Sequence, residues 1–63
     1  MTDHEIRKQL RVFANRIFLM KSSEAFLVKK ELETFIRDNA VTVEQMHEFA
    51  ESGAGEELDM LTI

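Results

Sequence analysis

Apolar residues recur through the first third of the chain at helical spacing. Ile6, Leu10, Phe13, Ile17 and Met20 stand alternately four and three positions apart, which at ~100° per residue keeps them on one face of a helix. This stripe predicts a first helix over about residues 3–21. Thr2-Asp3-His4-Glu5 reads as its capping box: the Thr2 hydroxyl accepts from the Glu5 amide while the Glu5 carboxylate reaches back. Arg7, Lys8 and Arg11 fall off the stripe as an ordinary solvated face. Val12 and Leu19 form a second apolar line, so the apolar surface widens toward the end of the helix.

A second stripe, Ala25, Val28, Leu32, Phe35 and Ile36, predicts a helix over about 24–38. Between the two lies Lys21-Ser22-Ser23-Glu24, with a cation for a helix end, serines for a cap and an acid for a first turn. No Gly or Pro enforces the break, so one continuous helix over 3–38 is the alternative. Extending the first heptad would place Glu24, Leu27, Glu31 and Thr34 on the seam. Three of those four are polar, which favours the break. Two amphipathic helices joined by a short link predict an antiparallel hairpin.

Asp38-Asn39-Ala40-Val41 closes the second helix, and Asn39 tolerates the left-handed conformation common at helix ends. Thr42-Val43-Glu44-Gln45 is a second capping box, opening a shorter helix over about 43–52. Val43, Met46, Phe49 and Ala50 are expected to supply its inner face, with Gly53 as its stop. Residues 54–63 read as an acidic tail or a short docking helix anchored by Leu58, Leu61 and Met60. The expected fold is all-α: an antiparallel helical hairpin plus a shorter third helix.

Size changes this picture. Ordering a chain costs on the order of 1.5 kcal/mol per residue, and a core from 63 residues roughly cancels that. There is no Cys, which excludes disulfides and thiolate zinc sites and fits a reducing compartment. Oligomerisation is the remaining remedy, and a homodimer is the expected form. Ile17-Phe18-Leu19-Met20 and Ala25-Phe26-Leu27-Val28 are apolar on all sides of a helix, a pattern normally buried all round. In a hairpin these blocks converge at one tip. Ile17, Phe18, Leu19, Phe26 and Leu27 are therefore the candidate protein interface, with Phe18 and Phe26 as aromatic anchors.

Charge is divided along the chain. Residues 1–37 hold all eight Lys and Arg against five acids, a net of +3; residues 38–63 hold seven acids and no base, a net of −7. Glu44, Glu48, Glu51, Glu56 and Glu57 are a candidate acidic surface for a partner with a basic face. The segment from the second helix to the third has the outline of a helix-turn-helix. Its would-be recognition helix carries Glu44, Glu48 and Glu51 and no base, which would repel phosphates.

Other chemistry is sparse. Glu44-x-x-His47 has the spacing of di-iron carboxylate bundles, but such sites need two motifs and further glutamates, so no metal or other cofactor is expected. Ser22 and Ser23 are explained as caps, and neither His4 nor His47 has a nucleophile to orient. No enzyme is expected. The longest apolar run is four residues, against ~20 for a membrane span, and the N-terminus lacks the basic start of a signal peptide. A cytoplasmic location is the expectation. The function expected is regulation or scaffolding through protein–protein contact and self-association. The alternatives are an acidic inhibitor occupying the nucleic-acid-binding surface of a basic partner, as a mobile element might encode, and then a DNA-binding regulator.

Overall fold

The computed structural model describes residues 1–63 and is entirely helical: α1 Asp3–Leu19, α2 Ala25–Asp38, α3 Val43–Glu51 and α4 Ala54–Leu61. The molecule measures 31 × 21 × 17 Å. Helix α1 is the central element and packs against each of the other three, while α4 also meets α2 and α3. Ile6, Leu10, Phe13, Ala14 and Ile17 of α1 are buried, as the stripe requires, and Met20 packs partly against them. They meet Ala25, Val28 and Leu32 of α2, Phe49 of α3, and Ala54 and Leu58 of α4 in one core. No polar or charged residue is buried.

The helix ends explain where each element stops. Thr2 Oγ1 accepts from the Glu5 amide at 3.2 Å, but its hydroxyl donates to the Glu5 carboxylate at 3.0 Å in place of the expected return bond to the backbone. Thr42 and Gln45 make the complete reciprocal box, at 3.0 and 3.1 Å. After Leu19 the chain turns extended at Met20 and Lys21, and Ser22–Glu24 form one tight turn leading directly into α2. Residues 3–38 are therefore two helices, and the first ends before Met20 and Lys21.

Helix α2 ends in a Schellman motif. The Val41 amide donates to Ile36 O at 3.0 Å and the Ala40 amide to Arg37 O at 3.3 Å. The left-handed residue is Ala40, at φ +47°, rather than Asn39. Asn39 serves the same end with its side chain, donating to Phe35 O at 3.0 Å. A Cβ is disfavoured in this conformation. Ala40→Gly is therefore expected to stabilise the fold by about 0.5–1 kcal/mol, read as a raised urea midpoint with an unchanged slope.

Gly53 ends α3 as expected, at φ +82°, and the same residue caps the start of α4. Ser52 tightens this corner: its hydroxyl donates to Phe49 O at 2.6 Å and accepts from the Ala54 amide at 3.2 Å. Ala54 is thereby held as the first residue of α4, fully buried. The C-terminal segment is a packed helix. Its anchors are Ala54 and Leu58, with Leu61 partly buried and Met60 exposed.

The expected inner face of α3 needs correcting. Phe49 is buried and Met46 partly so, but Val43 is 88% exposed and Ala50 is exposed as well. A step of three residues falls ~60° short of a full turn, so Val43 lies ~120° around the helix from Phe49. The buried face centres on Phe49 and takes in half-buried Gln45.

Candidate interaction surface

Two polar links and one ion pair fix the helices that carry the candidate surfaces. Between α1 and α3, the Arg11 guanidinium donates to both oxygens of Glu48 at 3.0 and 3.1 Å, and Gln45 Nε2 donates to Asp3 Oδ1 at 2.8 Å. Between α1 and α2, Arg16 lies 2.6 Å from Glu31. The ring of Phe13 also meets Phe35, centroid to centroid at 5.6 Å.

These links shift titrations. The hydrogen bond from Arg11 holds the Glu48 carboxyl below its ordinary value and raises Arg11 in return. Asp3 is lowered first by the hydrogen bond from Gln45 and then by Arg7. Both carboxyls release their protons more readily in the folded chain than in the unfolded one, where such groups titrate near about 4. Their contribution is therefore complete above that value and is lost as pH falls through the lower folded values. The urea midpoint is expected to hold from neutral pH down to about 5 and to drop below about 4. In the Glu48→Gln, Asp3→Asn double variant that acid drop should be smaller; an identical drop would remove these links as its source.

Around the break between α1 and α2, four of the five candidate interface residues are open to solvent. Phe18 is 52% exposed, Leu19 85%, Phe26 65% and Leu27 58%. Ile17, in contrast, is 1% exposed and belongs to the core. The periodicity explains the difference: Ile17 continues the stripe of Ile6, Leu10 and Phe13, whereas Phe18 and Leu19 are rotated ~100° and ~200° from it. Leu27 also forms one wall of an open groove of about 590 Å³ floored by Phe13 and Phe35 and rimmed by Lys30 and Thr34.

Of the acidic candidates, Glu44, Glu48 and Glu51 share one stripe of α3, while Glu56 and Glu57 lie in the first turn of α4. They are not equally available. Glu48 is held by Arg11, and Glu51 Oε1 lies 2.7 Å from His47 Nε2. Glu44, Glu56, Glu57 and Asp59 have no cationic partner in the chain. Sequence spacing alone could not show the Arg11–Glu48 and Asp3–Gln45 links, which join residues far apart in the chain.

The basic face of α1 is largely used internally. Arg7 pairs with Asp3 at 2.9 Å, Arg11 with Glu48 and Arg16 with Glu31, leaving Lys8 without an acid. A cleft of about 280 Å³ between α1 and α3 is lined by Arg7, Arg11, Asn15, Gln45 and Glu48. Its two guanidiniums are already matched by carboxylates. No three His, Cys, Asp or Glu side chains gather as a metal-binding group, and no helix is long and apolar enough to cross a membrane. Compared with protein families, curated proteins and solved structures, the chain matches none.

Proposed function

We propose that this protein is a small non-enzymatic interaction module that self-associates, as a dimer, through the apolar surface around the α1–α2 break. The observation that carries the reading is the exposure of Phe18, Leu19, Phe26 and Leu27 within ten residues of chain. Scattered exposed apolar residues are normal, but a concentrated group of large ones marks a contact site. A hairpin arrangement of α1 and α2 brings the two blocks to one tip. It is supported by the register, in which Phe13 meets Phe35 while Arg16, one turn on, meets Glu31, one turn back.

The area suits a modest affinity. Each of the four side chains offers roughly 100 Å² at its observed exposure, so the apolar part supplies about 400 Å² per copy. A standard interface takes about 800 Å² per partner. With its polar rim, this surface reaches the lower end of that class, and a dissociation constant in the micromolar range is expected. Size-exclusion chromatography with light scattering across that range tests the proposal directly. A mass that never exceeds the monomer would refute it.

A second reading rests on a separate observation, the four carboxylates of α3 and α4 without a cation. They would suit an acidic inhibitor covering a basic, nucleic-acid-binding surface of another protein. Capture of such a partner from host lysate should then be lost in the Glu44→Gln, Glu56→Gln, Glu57→Gln triple variant and at high salt. Capture insensitive to both would exclude it.

A further inference from the structure

The turn that joins the two apolar blocks carries one charge of each sign. Lys21 and Glu24 are both exposed, and neither lies within ion-pair distance of an opposite charge in its own chain. All four Arg of the chain are paired internally, whereas Lys21 and Glu24, like Lys8, Lys29 and Lys30, keep their charges free for another molecule. The turn itself is fixed, since the Glu24 amide donates to Lys21 O at 2.9 Å. Between them stand Ser22 and Ser23, small and exposed, which allow a close approach of another backbone.

We infer that the surface is completed by a second copy of this chain related by a two-fold axis through the Ser22-Ser23 turn, with Lys21 of each protomer paired to Glu24 of its partner. The inference rests on the proposed self-association and adds its symmetry and its selectivity. In a closed two-fold contact, residue i meets j and j meets i. A patch bearing one cation and one anion either side of the axis is complementary to itself under that operation. The same rotation sets the Phe18–Leu19 block of one copy against the Phe26–Leu27 block of the other. A second copy fits this charge pattern better than an unrelated partner of single sign, which would satisfy one charge and oppose the other. Charges at the rim of an apolar contact act mainly on register and choice of partner.

The test uses charge reversal on the full chain, read by sedimentation equilibrium at low salt. Lys21→Glu gives a turn with two acids and Glu24→Lys one with two bases; each alone is expected to weaken its homodimer by about tenfold or more, through two repulsive contacts per dimer. An equimolar mixture of the two variants should recover close to wild-type affinity, because every contact is then between opposite charges. The exchanged double variant, K21E with E24K, should recover as well. Added salt should weaken the wild type and relieve the single variants. Glu24→Lys places a cation at the start of α2, opposing the helix dipole. The mixture retains that substitution, so its recovery separates association from any loss of helix stability. If all charge variants match the wild type while Phe18→Asp still dissociates it, the two-fold exchange is overturned and the apolar surface stands. If the wild type is monomeric, or Phe18→Asp leaves a dimer intact, both are overturned.

Discussion

Phe18→Asp is expected to weaken self-association by about a hundredfold or more while leaving the monomer folded. The two halves of that expectation have separate causes. Phe18 is 52% exposed and takes no part in the core cluster, so a polar replacement removes little from the folded chain. At a contact between copies, each dimer would bury two unpaired carboxylates and lose two aromatic anchors. Truncating one such anchor commonly costs 2 kcal/mol or more, and about 2.7 kcal/mol is a hundredfold. Phe26→Asp should behave alike. Sedimentation velocity reads the association. A melting curve at low concentration, where mass action adds little to stability, reads the fold. A Phe18→Asp protein that unfolds would place this side chain in the core, and one that still dimerises would place the contact elsewhere.

Ile17→Ala should do the reverse and act on folding. Ile17 is 1% exposed and shares a core of only eleven buried residues with Ala25 and Val28 of α2. Removing three carbons from such a site costs about 2–5 kcal/mol in lost burial and residual cavity. A domain of this length has a total stability of roughly 3–9 kcal/mol. The variant is expected to be substantially unfolded in mild urea, with a midpoint far below wild type by circular dichroism. Two adjacent residues, alike in hydrophobicity, therefore separate the two energetic roles of the same stretch. A Phe18 variant that loses association and an Ile17 variant that loses the fold would together define the boundary between core and surface.

Much of this architecture was legible in the apolar spacing. The stripe of α1 and that of α2 both turned inward, because in a helix of several turns the average of many positions fixes one face. Ala14 was missed, since a small residue adds little to a hydrophobic pattern although it is buried where α1 and α3 approach. Helix α3, with only nine residues, was too short for that averaging, and three-residue steps carried Val43 away from the face that Phe49 occupies. Ala54 lay hidden between Gly53 and Gly55, where a small residue leaves no mark on the apolar pattern. Its burial depends on the Ser52 hydroxyl and the left-handed Gly53, neither of which leaves a periodic signal. Left-handed Ala40 was likewise invisible, because Asn39 beside it has the better intrinsic preference and spends its side chain on Phe35 O instead.

The candidate surface was legible to a similar degree. Runs of four apolar residues exceed what one helix face can bury, which pointed to Phe18, Leu19, Phe26 and Leu27. The same argument drew in Ile17, because a run cannot say which of its members faces the core. That choice is made by phase with residues two turns earlier. The acidic candidates divided for another reason. Glu48 finds Arg11 across a helix pair, 37 positions away in sequence, and such matches exist only once the chain is folded.

Self-association through the α1–α2 break is tested most directly by the mass of the wild-type protein at sedimentation equilibrium, from the low-micromolar range to several hundred micromolar. A reversible rise from monomer to dimer is expected, with a midpoint in the micromolar range and no species beyond the dimer. A protein that stays monomeric throughout would contradict it.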